Sequence, residues 1–584
     1  MRLAAIFSEH MVLQRDQEIS VFGETKAPAR IRITVDEIAV EETVPGGRFT
    51  VTLPAHPAGG PYTLTVTELG LPENDGAFGT DGTSGNDGTS GNDGTSGKTV
   101  SGDEQSSQNT VTDNTDTALL DVASLEGGLS VLDEKVISDV YFGEVWIANG
   151  QSNIEFEIQN AQGGEEELVS ADLPLVRYFK CIKTPVIDEN ILEQELHQQW
   201  KPCTDGVFRD MSGVGYYFAK KLFGALHVPI GMVDCYQGGS SISCWLSEDR
   251  LKKYPEGRIY QEEFEEAIKG QTEEDYDRLL TEYNRLVSEY LERERIAKAK
   301  NPDITPEELC EEAGCYPWPP PKGLKSAFRP SGLYHTMLER ISPYTAKGIL
   351  YYQGEEDSPK ASGYRVLLTE LIDEFRTDFA NPEIPVVILQ LPMFIERNQT
   401  DCRDWAYIRE AQAEAVAASE GTVLVPLIDI GEYDNVHPVD KKTPGERTAG
   451  QVLCTVYHNR EHGRCPMQLE SLSGEGNRVV LHFTGTCGTV ISGKNDLLNF
   501  RAECTEKKQN PRETAVDPQH IYGFEVRCAG ANEWTIPESV IEGETVVLTA
   551  DSPIEEVRYG FFNYGKVSLY NGMGYPLAPF RWTV

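Results

Sequence analysis

Apolar and polar positions alternate in short runs through residues 1 to 70, as in Ile31-Arg32-Ile33-Thr34-Val35 and Phe49-Thr50-Val51-Thr52-Leu53, with turns such as Pro45-Gly46-Gly47 between them. A period of two bounded by turn residues predicts half-buried strands, so this stretch reads as a small β domain. From about residue 139 the pattern changes. Apolar runs at Val140 to Ala148, Ile230 to Cys235, Gly348 to Tyr352 and Pro385 to Leu391 alternate with amphipathic helical stretches at Gly213 to Leu226 and Tyr364 to Phe379. That alternation predicts an α/β domain, a parallel sheet with helices on both faces, whose chemistry collects at the carboxyl ends of the strands. After about 465 short strands return, as in Arg478 to Phe483 and Thr545 to Leu548. The expected layout is an N-terminal β domain over 1–138, an α/β domain over 139–464 and a C-terminal β domain over 465–584.

Two segments interrupt it. Residues 72–117 repeat Asp-Gly-Thr-Ser-Gly from Asp81, Asp87 and Asp93. Such a composition cannot bury enough surface to offset chain entropy, and it lacks the apolar residue of calcium-binding β-roll repeats, so it is expected to be a disordered loop. Residues 249–325 are charged and helical, with Leu279, Leu280, Tyr283, Leu286, Tyr290 and Leu291 at helical spacing. They predict a helical hairpin resting on the main domain rather than a lid.

Composition narrows the function classes. The 584 residues exceed one core, and 39% are hydrophobic. Lys and Arg number 52 against 93 Asp and Glu, a formal charge of −41 without a basic stripe, which argues against nucleic acid as a partner. No apolar run is long enough for a transmembrane helix, and Glu9 and His10 interrupt any signal-like start, so no membrane association and a cytoplasmic location are expected. The 12 cysteines form no C-x-x-C pair; Cys310 and Cys315 are the closest in the chain, and reduced thiols are expected.

Three features carry chemistry. The run Asp139 to Ala148 enters Asn149-Gly150-Gln151-Ser152-Asn153, a strand leading through a Gly turn to a serine at the sheet edge, where a hydroxyl can act as a nucleophile. Asp434-Asn435-Val436-His437-Pro438 follows the apolar run Val423 to Ile430. His437 suits a general base there, and Asp434, three residues earlier, can fold back to orient it. Tyr236-Gln237-Gly238-Gly239-Ser240 and Tyr352-Gln353-Gly354-Glu355 also follow strands, and their glycine N–H groups and side-chain amides can hold an oxyanion.

Together these motifs resemble the sialate O-acetylesterases of the SGNH hydrolase superfamily. The resemblance rests on Gly150-Gln151-Ser152-Asn153, Gly238-Gly239-Ser240 with Trp245, Tyr352-Gln353-Gly354-Glu355, and His437-Pro438 with Lys441 and Gly445-Glu446-Arg447. Phe7 to Arg15 and Ala58 to Tyr62 are similar to that family's opening β domain. The resemblance spans the chain outside 72–117 and 249–325. It implies an SGNH-hydrolase-like, flavodoxin-like sheet flanked by β domains, with Ser152 as nucleophile, His437 as base and Asp434 as its orienter. It also implies an oxyanion hole from the N–H groups of Ser152 and Gly239 and the Gln353 amide, without a metal or organic cofactor. The substrate it implies is a small O-acetylated sugar, O-acetylated sialic acid first. Glu356 and Asp357 stand where the family has a small residue and Asn, and two carboxylates at the cleft would disfavour an anionic sugar. A neutral substrate such as an acetylated xylo-oligosaccharide is therefore the alternative, and a non-catalytic carbohydrate-binding protein the remote one. The oligomeric state is left open by the sequence.

Overall fold

The structure is a computed structural model that describes residues 1–71, 129–301, 304, 306–396, 399–488, 490–492 and 521–584. The tract expected to be disordered, 72–117, lies outside the described residues.

The N-terminal alternation is realised as strands. Ala29–Val35 buries Ile31, Ile33 and Val35 and turns Arg32 and Thr34 outward, pairing with Ile38–Val44 and Gly59–Leu69. Strand β1, Val131–Gly150, then runs through what the sequence divides. Its first half is antiparallel to Gly59–Leu69, and Tyr141 to Gly143 lie parallel to Val12–Gln14. From Phe142 onward every residue is buried, as in a strand covered on both faces. The boundary expected at 138 therefore falls inside one continuous strand, and one apolar core extends across it.

The remaining strands of the central sheet are β2 (Leu173–Lys180), β3 (Lys201–Cys203), β4 (Ile230–Tyr236), β5 (Gly348–Tyr352), β6 (Val386–Leu389) and β7 (Thr422–Val425), in the order β3-β2-β4-β1-β5-β6-β7. Among these seven strands all pairings are parallel except β3 with β2. The flavodoxin order expected from the resemblance would put the first strand beside the second. Here the long connection from Ser152 to Asp172 skips a position that β4 fills, so β1 lies between β4 and β5. Those neighbours carry Gly239 and Gln353. Helices Gly213–Leu226 and Lys442–Thr455 pack together, as do Ala361–Asp378 and Asp404–Ala418, and both pairs cover the sheet.

The insertion holds helices at Glu248–Lys253, Pro255–Ala267, Glu273–Lys300 and Pro306–Ala313. From Tyr276 onward along Glu273–Lys300 the sheltered positions are Tyr276, Leu280, Tyr283, Val287, Tyr290, Glu294 and Ala297, a stripe at alternating spacings of four and three. Leu279, Leu286 and Leu291, expected on the packed face, are exposed instead. The exposed flank is laced with pairs such as Arg285 with Glu282 and Glu289.

The C-terminal β domain has its own core, which also takes in Met393, Ile395 and Ile428 from the loops after β6 and β7. Buried Arg409 donates to the carbonyls of Pro392 and Phe562, joining the two domains. The expectation of reduced thiols is corrected at one place, where Cys454 and Cys465 form a disulfide across the turn that leads to this domain. No described helix is long and apolar enough to cross a membrane.

Candidate active site

Register brings the candidate turns to one level. Gly150 pairs with Tyr236 on one side and Tyr352 on the other, so β4, β1 and β5 end together. The Gln151 N–H donates to the Tyr352 carbonyl at 3.1 Å and the Gln237 N–H to the Gly150 carbonyl at 3.1 Å. Gly150 has φ +135°, and a Cβ there would collide with the Tyr352 carbonyl oxygen, so glycine is required where the chain turns toward the serine.

Ser152 opens the short helix Ser152–Glu155 and is partly exposed. Among the described residues neither its N–H nor that of Gly239 finds an acceptor. Gly239 has φ +71°. A Cβ on its neighbour Gly238 would lie 3.5 Å from the Ser152 Cβ, so this turn abuts the serine. Glu155 accepts from the Gly238 N–H and pairs with Lys183, tying the two turns together.

Gln353 sits one layer deeper than the sequence suggests. It is fully buried, and its Nε2 donates to Gln151 Oε1 (3.1 Å), the Ser240 carbonyl (3.2 Å) and Asp357 Oδ2 (2.5 Å). Its Oε1 accepts from Tyr351 and Tyr364. An amide with its donors engaged in this way holds neighbouring turns in place. Gln151 is the other half of that brace, because its Oε1 also accepts from the N–H groups of Gly354 and Glu356. Trp245 Nε1 donates to Ser240 Oγ at 2.9 Å and steadies the Gly239 turn from behind.

His437 arrives on the loop after β7. Glu432 shapes that loop by accepting from the Asn435 amide (2.7 Å) and the Val439 N–H (3.0 Å), while Asn435 Oδ1 accepts from the His437 N–H (3.1 Å). The loop after β6 anchors it, the Ile395 carbonyl accepting from the Asp434 N–H. Asn153 straps it to the serine: its Nδ2 donates to the Val436 carbonyl at 3.0 Å. The His437 ring lies 6.5 Å from the Phe156 ring, between centroids. Among the described residues the His437 hydrogen bond is the one from its backbone N–H, and its ring is joined neither to Asp434 nor to the Ser152 hydroxyl.

Behind the pair lies a buried charge network that sequence reasoning missed. Asn153 Nδ2 also donates to Glu355 Oε1 (2.6 Å), and Lys441 Nζ donates to Asn153 Oδ1 (2.7 Å). Lys441 stacks over the Phe156 ring at 4.6 Å. Burial pushes the Glu355 carboxyl up to about 7 and the Lys441 ammonium down to about 7. Burial first, and then the positive charge of Lys441, lower the His437 imidazole to about 4, so it is neutral and able to accept a proton at ordinary pH. The signal for these partners was present in Lys441 and Glu355 of the motifs, but nothing in the sequence linked them through Asn153.

The carboxylates expected to crowd the cleft separate. Asp357 is fully buried and bound by the Ile242 N–H (2.8 Å), Gln353 and the Tyr260 hydroxyl (2.5 Å). Glu356 is exposed and lines a pocket beside Gly239 with Trp318, Lys322 and Lys360. The insertion thus reaches the cleft instead of only resting on the domain. Among the described residues no cluster of three or more His, Cys, Asp or Glu could hold a metal ion.

Residues 322–459, which include Gln353, Asp434, His437 and Lys441, match a family described as carbohydrate esterase, sialic acid-specific acetylesterase. The chain is 24% identical over 368 residues to the sialate O-acetylesterase of Mus musculus, covering 58% of this chain and 62% of that protein. It is 22% identical over 456 residues to the sialate O-acetylesterase of Rattus norvegicus, 73% of each. In fold it is similar to the crystal structure of a carbohydrate acetylesterase from Xanthomonas citri, with a TM-score of 0.66, 22% identity and 99% of both chains covered.

Proposed function

We propose that this chain, a carbohydrate esterase of the sialate O-acetylesterase family, removes acetyl groups from a sugar by way of an acetyl-enzyme on Ser152. The observation that carries the reading is the shared level of Gly150, Tyr236 and Tyr352, which sets the Ser152 turn beside Gly239, with Asn153 drawing in the His437 loop.

In this mechanism Ser152 Oγ attacks the acetyl carbonyl and its proton passes to His437. The N–H groups of Ser152 and Gly239 stabilise the oxyanion, which suits two donors without protein acceptors. Collapse of the tetrahedral intermediate breaks the ester bond, and His437 returns the proton to the departing sugar oxygen. Water, deprotonated by His437, then attacks the acetyl-enzyme and acetate leaves, restoring Ser152. Asp434 is assigned to orient His437, a bond that forms with substrate in place, since such contacts are commonly long or misaligned without it. Gln353 braces the Gln151 and Ser240 turns.

Ser152→Ala is expected to lower acetate release from p-nitrophenyl acetate by more than about 1000-fold while the protein stays folded. Undiminished turnover would overturn the assignment. O-acetylated sialic acid is the substrate favoured by the relatives' descriptions, and the burial of Asp357 removes half of the charge argument against it. A neutral sugar is the second reading, carried by the Glu356 carboxylate that still lines the pocket. Acetate release from 9-O-acetylated sialic acid and from acetylated xylo-oligosaccharides, compared side by side, decides between them.

A further inference from the structure

We infer that Trp318, carried by the Pro-rich end of the helical insertion, is the platform against which the sugar ring of the ester lies, making the insertion a specificity element of the cleft. This rests on the esterase reading and adds to it the site that distinguishes a sugar ester from a small one.

The indole packs directly on Gly239, where a Cβ would collide with its ring, and Gly238 in turn abuts Ser152. Yet Trp318 remains 47% exposed. A large aromatic face open to water beside a nucleophile is free to receive a ligand, and the apolar C–H face of a pyranose fits an indole. The surroundings match the rest of a sugar. The pocket of about 140 Å³ bounded by Gly239 and Trp318 also has Lys322, Glu356 and Ser241 on its walls, groups that can donate to and accept from hydroxyls. Lys360 on the same wall pairs with Glu263 at 3.0 Å, so two lysines balance two glutamates and the pocket presents polar partners without a dominant charge.

The platform is also held in place before any ligand arrives. Phe328 meets the indole edge-on with centroids 5.8 Å apart. Pro319, Pro320 and Pro321 follow it, and proline fixes φ. Tyr276 of the long insertion helix packs closely on Gly323. Tyr260 of the preceding insertion helix donates to Asp357, next to Glu356, at 2.5 Å. Such a wall loses little freedom when a sugar binds.

The test compares Trp318→Ala and Trp318→Phe with the parent protein on p-nitrophenyl acetate and on whichever of 9-O-acetylated sialic acid and acetylated xylo-oligosaccharide the parent hydrolyses faster. The ratio of kcat/KM for the sugar ester to that for p-nitrophenyl acetate is expected to fall about 10-fold or more with Ala and to recover in part with Phe. In a Ser152→Ala background, the same Trp318→Ala change should weaken calorimetric binding of the acetylated sugar by a similar factor. An unchanged ratio, whether both activities fall together or neither falls, would overturn the inference and leave Trp318 as packing for Gly239. If the parent hydrolyses neither ester, it is the esterase reading that has failed.

Discussion

Lys441 reaches across the cleft wall to donate a 2.7 Å hydrogen bond to Asn153, the residue directly after Ser152. The segment bearing the base and the segment bearing the nucleophile are thereby locked by a buried lysine that is a cation below its pKa of about 7.

His437 feels that cation. Burial is the larger cause of its low pKa of about 4 and the Lys441 charge the second. Replacing Lys441 by Met removes a positive neighbour, which favours imidazolium, so His437 should titrate higher while remaining below an ordinary imidazole. The acid limb of kcat/KM against pH is therefore expected near pH 4 in the parent and shifted to higher pH in Lys441→Met. A limb that stays put or moves to lower pH would show that the charge does not reach the base. Circular dichroism checks that the variant is folded.

Glu355 gives a stability signature. Its carboxyl is raised to about 7, by burial first, and its Oε2 has no hydrogen-bond partner among the described residues. Between about 4.5, its ordinary value, and about 7, the folded protein keeps a proton that the unfolded chain has lost. Stability from this group is thus present at low pH and lost as pH rises through that window. Glu355→Gln keeps an oxygen for the Asn153 amide and abolishes the titration. Its unfolding free energy relative to the parent should improve by on the order of 2 kcal/mol from pH 5 to pH 7.5, measured by urea denaturation. A flat difference would mean that Glu355 is ionised throughout.

The motif serine, histidine and glycine turns were legible because each follows an apolar strand and glycine marks a chain that must turn sharply. The order of the sheet was not. Periodicity identifies β1, β4 and β5 but says nothing about the connection after Ser152 that skips a position, and it is this that sets Gly239 and Gln353 on either side of the serine. The partners of Asn153 were equally hidden, because Glu355 and Lys441 lie 202 and 288 residues away in sequence. Spacing predicts Leu279, Leu286 and Leu291 on the packed stripe of Glu273–Lys300. Its 3.5-residue spacing is carried partly by Tyr276 and Tyr290, with the leucines left to solvent.

Asp434 is in the loop of His437, and the bond between them forms only with substrate in the reading above. Asp434→Asn should then lower kcat by about 100-fold or more with folding preserved, since an amide cannot stabilise the imidazolium that forms. Parent-like rates would assign the orientation of His437 to another group.

The two acidic residues beside Gln353 are expected to behave differently. Glu356 is exposed at the pocket wall, where its carboxylate carries negative charge at pH 8. Glu356→Gln removes that charge where a substrate carboxylate would approach. At pH 8 it should raise kcat/KM for 9-O-acetylated sialic acid relative to acetylated xylo-oligosaccharide by about 3- to 10-fold. Asp357 is sealed behind Gln353, with Tyr260 and the Ile242 N–H as its other partners. Asp357→Asn puts an amide in a site built from donors, so it should cost stability, about 1–3 kcal/mol, without moving the ratio between the two sugars. A shift in that ratio with Asn at 357, or none with Gln at 356, would mean that the charge sensed by the substrate is not the one on the pocket wall.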